Sequence, residues 1–209
     1  MIRLKKFEWG ILIGLFLLSL VPCLGGLVRI SELLFGFEMM PANPRVLKAP
    51  MPVIIHLVGA IPFCVLGILQ FLPSLRRAYP SWHRAAGRWI IVAGVLAALS
   101  GLWMTHFYAF PRELQGPLLY SVRLLVGFYM IGALYLGVAS IMKKDIPNHR
   151  AWMLRAYAIG QGAGTQTIMG IFWMIAFGEA IGLTRDVLMV SAWVLNLALA
   201  EVIVLRARQ

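Results

Sequence analysis

Four histidines are the residues of this 209-residue sequence whose type and placement best suit cofactor chemistry. They are His56, His83, His106 and His149. Neutral imidazole is the commonest metal ligand in proteins, and two histidines on neighbouring helices can hold a haem iron between them. Each of the four lies beside the end of an apolar stretch. This placement predicts a haem b, or copper or another metal; the alternative is that the imidazoles hydrogen-bond to backbone, water or lipid.

The spacing of the histidines limits what two haem groups could do. His83 and His106 border the same apolar stretch and are 23 residues apart, which on a helix is about 35 Å. The hydrocarbon layer of a bilayer is only about 30 Å thick, so two haems would lie near opposite surfaces. Direct electron exchange between them is therefore disfavoured, and a single outer site at His56 and His106 is the stronger expectation.

The elements that position these histidines are predicted to cross a membrane. Apolar residues make up 61% of the chain, charged residues make up 13%, and the mean hydropathy is +0.83. A soluble domain has about a quarter charged residues and could not bury so much apolar surface, so lipid must solvate most of this chain. In lipid a segment must satisfy its own backbone hydrogen bonds, as a helix of about 20 apolar residues does. Strand alternation is absent from the apolar stretches, so we expect helices. Six stretches qualify: about 7–28, 53–73, 88–108, 118–141, 154–177 and 185–205.

The formal net charge of +11 indicates orientation and not a nucleic-acid partner. If the N-terminus faces the cytoplasm, thirteen Lys and Arg residues fall on the cytoplasmic side and five on the outer side, which is a strong positive-inside bias. The cytoplasmic set is Arg3, Lys5, Lys6, Arg76, Arg77, Arg84, Arg88, Lys143, Lys144, Arg150, Arg155, Arg206 and Arg208. The outer set is Arg29, Arg45, Lys48, Arg112 and Arg185. We therefore predict a bacterial inner-membrane protein with both termini in the cytoplasm.

The predicted fold class is all-α, with residues 1–209 forming one polytopic membrane domain of six transmembrane helices. Helices two to five are expected to form a four-helix core, flanked by the first and the sixth. The first stretch also fits a secretory signal, but its apolar run exceeds a usual signal core, so we expect a retained helix. The outer loop 29–52 is predicted to hold a short interfacial helix capped by Ser31, followed by an extended, proline-rich part.

A weak internal repeat supports the four-helix core. The segment 80–88 resembles 147–155, because each has Pro, then Ser or Asn, then His-Arg-Ala and a further Arg. Upstream, 56–59 resembles 123–127. Helices two and three are therefore predicted to be duplicated as four and five. Ser81 and Asn148 are predicted helix caps, and the corner arginines are expected to reach lipid phosphates. The functional alternative is that His83 and His149 face each other and hold a ligand.

Charged residues near the spans are further candidates. Arg123 lies one turn inside the fourth span, where its charge is costly, and we expect Glu113, His106 or Tyr120 to be its partner. Glu201 is expected to pair with an inner arginine. The candidates for binding haem propionates or lining a polar pocket are Arg112 and Arg123 outside, and Arg76, Arg84, Arg88 and Arg155 inside.

The fifth span carries an unusual run of small and polar residues at mid-membrane, residues 160–167. Gly160 and Gly164 have the spacing of a close helix-packing face. Gln161, Thr165 and Gln166 could instead line a polar pocket for a quinone, a lipid headgroup or a small substrate. Both interpretations stay open from the sequence.

Several of these residues together resemble a known family. They are His56, Gln70-Phe71, Arg76, Pro80, His83-Arg84, Gly87-Arg88 and His149-Arg150-Ala151-Trp152-Met153-Leu154-Arg155-Ala156-Tyr157-Ala158. In this order and spacing, about residues 53–177 resemble a bacterial family of predicted multi-pass membrane proteins classed as a domain of unknown function. The resemblance implies a polytopic membrane fold and no established activity. The histidine placement is also, more loosely, similar to b-type cytochrome four-helix bundles.

The leading functional prediction is a haem-binding or electron-transfer role, as a small b-type cytochrome or an accessory subunit of a respiratory or photosynthetic complex. The alternative is a cofactor-free structural or assembly subunit that packs against partner membrane helices. A small-solute transporter is a third prediction, disfavoured because the ionisable residues cluster at span ends and not at the midplane. The predicted partners are the lipid bilayer and, in the redox interpretation, other membrane subunits or quinone.

Overall fold

Residues 4–207, the part of the chain that the computed structural model describes, form nine helices and no strand. Arg3 and Arg208 of the charge count lie outside these residues. The helices are α1 (Lys6–Phe35), α2 (Pro44–Lys48), α3 (Pro50–Gln70), α4 (Pro73–Ala78), α5 (Pro80–Phe107), α6 (Pro117–Met142), α7 (Ile146–Gly160), α8 (Gly162–Phe177) and α9 (Gly182–Arg206). The prediction of an all-helical chain is confirmed.

Five of the described helices are long and apolar enough to cross a membrane: α1, α3, α5, α6 and α9. The predicted fifth span, 154–177, falls on α7 and α8, which follow each other directly and meet at Gln161. Neither α7 nor α8 reaches the length of a full span alone, but the two in series do. The architecture is therefore consistent with six spans, of which the fifth is interrupted in its middle.

Four spans form the centre of the molecule, as the repeat predicts. Helix α3 packs along α5, and α6 packs along α7. The two pairs are joined where α5 contacts α6. Helix α1 lies against α3 and α8, and α9 lies against α6, α7 and α8. Both outer helices are thus flankers. The buried apolar core runs through the four central spans and includes Phe63, Ile68, Val126, Leu134 and Ala156.

One aromatic ring joins the two halves of the repeat. Gly94 of α5 and Gly160 of α7 are separated by the same 66 residues as His83 and His149. A Cβ atom on Gly94 would lie 2.6 Å from the Phe63 ring, and one on Gly160 would lie 2.5 Å from it. Repeat-related glycines therefore flank the same side chain, so the helix pairs meet closely around Phe63.

The outer loop differs from its prediction at Ser31. Helix α1 continues to Phe35 and ends at Gly36, whose φ of 74° is left-handed, because no Gly or Pro interrupts the chain between Leu27 and Phe35. Ser31 consequently lies inside α1, where its hydroxyl donates to the Leu27 carbonyl, and it caps no separate helix. The short helix of this loop is α2, which begins at Pro44, because proline is pre-organised for the first helical position.

The predicted caps of the inner corners are also corrected. Helix α5 begins at Pro80, and Tyr79 precedes it without a side-chain cap. Helix α7 is capped by Asp145, whose carboxylate accepts from the backbone N–H of Asn148 at 3.1 Å. In both corners the helix begins at or before the proline, one or more residues earlier than the Ser or Asn that the sequence suggested. Ser81 and Asn148 therefore lie within the first turn and do not cap.

Candidate functional site

The two outer histidines contact different helices. His56 of α3 has its Nδ1 atom 2.8 Å from the Ala97 carbonyl oxygen of α5. His106, at the end of α5, has its Nδ1 atom 2.9 Å from the hydroxyl of Tyr120 on α6. His56 is enclosed between helices, whereas His106 is exposed. The structure gives each imidazole its own partner, and a joint ligand site at this pair stays a prediction.

The two inner histidines lie in one region. His83 of α5 is within electrostatic range of His149 of α7, and also of Arg76 and Arg84. His149 has its Nδ1 atom 2.9 Å from the Gly137 carbonyl oxygen of α6. The Nδ1 atom of His83 is buried and has no hydrogen-bond partner within residues 4–207. The two imidazoles are thus within electrostatic range of each other, and a shared ligand there stays a prediction.

A second buried polar atom without a partner lies beside His83. Gln70 ends α3, and its Nε2 atom is buried and unbonded within the described chain. Its Oε1 atom lies 3.4 Å from where a Cβ of Gly87 would be, so Gln70 packs against α5 one turn beyond His83. The short helix α4, which begins at Pro73, turns the chain back so that α3 and α5 meet here.

The surroundings of these two atoms are positively charged. Partial burial lowers the pKa of Arg76, and the nearby guanidinium groups of Arg150 and Arg77 lower it further. One buried carboxylate also lies here: Glu8 of α1 accepts from the backbone N–H and the hydroxyl of Ser74 on α4, at 2.6 and 2.7 Å, and is within electrostatic range of Arg77. We call this group the inner corner: Gln70, Arg76, His83, Arg84, His149 and Arg150. Unpaired donors among cations are the chemistry that binds an anion.

The remaining arginine candidates differ in their contacts and in their exposure. Arg155 donates to both carboxylate oxygens of Glu201, at 2.5 and 2.8 Å. This confirms the expected pairing of Glu201 and means that the charge of Arg155 is already neutralised. Arg123 donates to Gln115 and lies over the Phe110 ring, so the expected partners Glu113, His106 and Tyr120 are wrong. Arg84, Arg88 and Arg112 are exposed.

The polar run of the fifth span is a break in the helix. Gln161 separates α7 from α8, and its side chain is 3% exposed. Its Nε2 atom donates to the hydroxyls of Tyr157 at 2.7 Å and Ser19 at 3.0 Å. The Tyr157 hydroxyl in turn donates to the Cys64 carbonyl at 2.7 Å. The side chain of Gln161 thereby ties α1 and α3 to the break.

Helix α9 supplies the partners that the break requires. Trp193 donates from Nε1 to the Ile159 carbonyl at 3.2 Å, and Asn196 donates to the Ala158 carbonyl at 3.1 Å. Thr165 donates to the Asn196 side chain at 2.8 Å, and Gln166 donates to the Met189 carbonyl at 3.0 Å. The predicted pocket residues Gln161, Thr165 and Gln166 are therefore bonded within the protein. The sequence analysis missed Trp193 and Asn196, although an Asn in the middle of an apolar span is a signal that could have drawn attention.

Within the described residues, no group of three or more His, Cys, Asp or Glu side chains is placed to hold a metal ion. A haem iron needs only two histidines, so the haem prediction is not addressed by this result.

The family relationship follows from the sequence match. The model of a family described as a predicted membrane protein (DUF2306) matches residues 53–204, which is most of the chain. The chain belongs to the DUF2306 family. No curated protein and no solved structure matches it.

The DUF2306 match confirms the resemblance to a multi-pass membrane family of unknown function and extends it. The predicted range ended near 177, but the match includes α9. This is physically sensible, because Trp193 and Asn196 of α9 complete the break of the fifth span. All four histidines and the whole inner corner lie within the matched residues, whereas α1 precedes them.

Proposed function

We propose that this DUF2306 chain is a single-domain protein of the bacterial inner membrane that binds an anionic ligand at the inner corner, with both termini in the cytoplasm. The observation that carries the proposal is a pair of buried atoms near Arg76 and Arg150, His83 Nδ1 and Gln70 Nε2, that have no partner among residues 4–207. The positive-inside count supports the orientation, because the inner corner lies on the side richer in Lys and Arg.

The chemistry of the inner corner suits the oxygens of a phosphate or carboxylate group. A buried donor without a partner costs about 1–3 kcal/mol, and an anionic oxygen would remove that cost at Gln70 and, with Nδ1 protonated, at His83. Arginine binds planar carboxylates and phosphates through two parallel hydrogen bonds, which is the contribution proposed for Arg76 and Arg150. A lipid headgroup and a soluble phosphate offer the same oxygens at this surface.

The test measures thermal unfolding of the purified full chain in a neutral detergent while inorganic phosphate replaces chloride at constant ionic strength. A ligand that binds only the folded state raises the melting temperature. We expect phosphate to raise it for the wild type, and the Arg76→Gln variant to bind about tenfold more weakly. The control Lys143→Gln removes an exposed charge of the same side, and it should keep the wild-type response.

The source of the anion is separated by a lipid arm of the same experiment. The chain is placed in nanodiscs of phosphatidylcholine with or without phosphatidylglycerol, and the stabilisation by the anionic lipid is compared for the wild type and Arg76→Gln. Stabilisation by the lipid alone identifies a headgroup, and stabilisation by phosphate identifies a soluble ligand. If neither anion distinguishes Arg76→Gln from Lys143→Gln, the inner corner is no anion site.

The orientation has its own test, which uses cysteine labelling of whole cells. Lys143→Cys lies on the proposed cytoplasmic side, and Arg112→Cys lies on the outer side. An impermeant maleimide should label Arg112→Cys in intact cells but label Lys143→Cys only after the membrane is opened. The reverse pattern would invert the proposed topology.

A haem b is the second candidate ligand, and one observation favours it. The Nδ1 atoms of His56 and His149 lie within hydrogen-bonding distance of backbone carbonyls, and a histidine that donates in this way presents Nε2 as a lone pair, as metal-bound histidines do. Arg76 and Arg150 would then pair with propionates. In this case the chain is a small b-type cytochrome or an accessory subunit of a redox complex. The structural-subunit and transporter alternatives stay predictions.

The haem candidate is tested by absorbance. The protein is purified from cells supplied with a haem precursor, and the reduced-minus-oxidised spectrum is recorded. We expect a b-type band that His149→Ala removes and that Lys143→Gln, which changes an exposed residue outside the histidine set, leaves in place. A spectrum without the band in the wild type contradicts this candidate and leaves the anion proposal unaffected.

A further inference from the structure

A second group of arginines lies on the opposite side of the molecule, around Phe110. The guanidinium carbon of Arg45 is 4.4 Å from the centre of the Phe110 ring, and that of Arg123 is 5.2 Å from it. Arg185 is within electrostatic range of Arg123 as well. We call Arg45, Arg123 and Arg185 the outer arginine site.

The donors of this site are only partly used. Arg45 donates from Nε to the Asn43 side chain at 3.2 Å, but its Nη1 atom is buried and unpartnered in the structure of residues 4–207. Arg123 donates to the Gln115 side-chain oxygen. Arg185 donates to the Leu114 carbonyl at 3.3 Å. Among the described residues, the acceptors of these three hydrogen bonds are neutral oxygens.

One carboxylate lies near the outer arginine site, and it is engaged elsewhere. Asp186 is 1% exposed and affects Arg123 electrostatically. Its two oxygens accept from the backbone N–H groups of Gly116 and Leu119, each at 3.0 Å. Asp186 thus caps the start of α6, where the helix dipole favours a negative charge. Within the described residues, Asp186 is thus the carboxylate that acts electrostatically on Arg123, and its oxygens are already hydrogen-bonded.

The loop that carries Arg45 is fixed against the core. The hydroxyl of Tyr108 donates to the Ala49 carbonyl at 2.6 Å, which joins the α2–α3 junction to the end of α5. Val46 of α2 is buried. Arg45 is consequently held over Phe110 by its own helix and by this junction. A guanidinium group positioned in this way is pre-organised for a ligand.

We propose that Arg45 and Arg123 together bind the anionic oxygens of a phosphate or carboxylate group at the outer face of the molecule. The free Nη1 of Arg45 supplies a donor, and the excess positive charge of the three arginines supplies the attraction. Phe110 holds both guanidinium groups in place by cation–π contact. This site is separate from the inner corner and does not rest on the proposed function.

The experiment counts bound anions on the purified full chain, with inorganic phosphate and acetate as soluble probes in isothermal titration calorimetry. The two site variants are Arg45→Gln and Arg123→Gln, and the control is Lys48→Gln, which removes an exposed charge of the same side. We expect each site variant to bind one anion fewer than the wild type, and Lys48→Gln to equal the wild type. Because the result is a difference of one, it holds whether or not the inner corner also binds.

A lipid arm distinguishes a headgroup from a soluble anion. The wild type and these variants are released from phosphatidylglycerol nanodiscs into native mass spectrometry, and the retained lipids are counted. One lipid fewer in Arg45→Gln, without a loss of soluble anion, assigns the site to a headgroup phosphate. If Arg45→Gln and Arg123→Gln both fold and keep wild-type numbers of phosphate, acetate and lipid, the proposal is overturned.

Discussion

The break at Gln161 and the inner corner are both polar regions in an apolar chain. They differ in whether their hydrogen-bonding groups have partners within the described residues. At the break, Gln161 bonds Ser19 and Tyr157, and α9 donates to two carbonyls that the interruption frees. At the inner corner, Gln70 and His83 each keep a buried atom without a partner in the described structure. Gln161 is thus fully paired, whereas Gln70 keeps one amide nitrogen without a partner in the described residues.

This difference separates structural polarity from binding polarity. A satisfied polar network rigidifies a fold, and the cost of breaking it is the cost of the partners left behind. An unsatisfied group contributes no hydrogen bond to the fold, so it persists for another reason, which we propose is a ligand. The same substitution should therefore have a large effect on stability at one glutamine and almost none at the other.

The largest expected effect is on stability at the break. Gln161→Leu removes the two buried hydrogen bonds that Gln161 Nε2 donates, and at the modest value that such bonds have within membranes the loss is about 2 kcal/mol. Unfolding in mixed micelles of increasing denaturing detergent measures it. Thr167→Val, on the exposed face of α8, is the control, since its hydroxyl only bonds its own helix. Equal stability of the two variants would contradict the structural role of Gln161.

The matched substitution at the inner corner should change binding and not stability. Gln70→Leu replaces an amide whose Nε2 atom has no partner among the described residues, so the unfolding free energy without ligand should stay within about 0.5 kcal/mol of the wild type. The affinity for phosphate should fall about tenfold, because one donor is lost. Thermal unfolding with and without phosphate measures both quantities. A Gln70→Leu variant as unstable as Gln161→Leu would mean that Gln70 has partners after all, and the comparison would fail.

The general fold follows from the sequence because its causes are local or are set by the bilayer. Span length, the absence of strand alternation and the positive-inside count need no knowledge of tertiary contacts. The repeat is equally visible, and Gly94 and Gly160 around Phe63 support it. The prediction that Glu201 pairs with an inner arginine is confirmed. It follows from the sequence because several arginines and few other acidic residues lie on that side.

The parts that the sequence did not give depend on which helix faces which. The run at 160–167 is visibly polar in the sequence. Only the packing of α9 against it shows that Trp193 and Asn196 donate to backbone carbonyls beside the break. Arg123 has Gln115 and Phe110 as partners because the loop before α6 folds back over it. Arg45 was not expected at any site, since a proline-rich loop gives no sign of its packing.

A smaller expected effect is that phosphate binding at the inner corner depends on salt, whereas stability at the break does not. The inner corner is proposed to attract its ligand by charge, and salt screens partly exposed charges within about 10 Å at 0.1 M. Raising the concentration of sodium chloride should weaken phosphate binding several-fold. The stability lost in Gln161→Leu should not change with salt, because its hydrogen bonds are neutral and buried. Titrations at two salt concentrations check both statements, and salt-independent binding would argue against a charge-based site.

The smallest expected effect concerns Gly87, which lets Gln70 approach α5. Alanine is favoured over glycine within a helix by about 0.5–1 kcal/mol, and its Cβ would meet only the flexible end of Gln70, at 3.4 Å. Gly87→Ala should therefore raise stability slightly and leave phosphate binding close to that of the wild type, because a contact of 3.4 Å is an ordinary van der Waals distance. Gly160→Ala is the contrasting variant, since its Cβ would lie 2.5 Å from the Phe63 ring, and overpacking there costs about 1–3 kcal/mol. Opposite signs of the two stability changes, measured in the same unfolding assay, would sharpen the contrast between a loosely packed corner and a closed break; a destabilised Gly87→Ala would show that the corner is packed as tightly as the core.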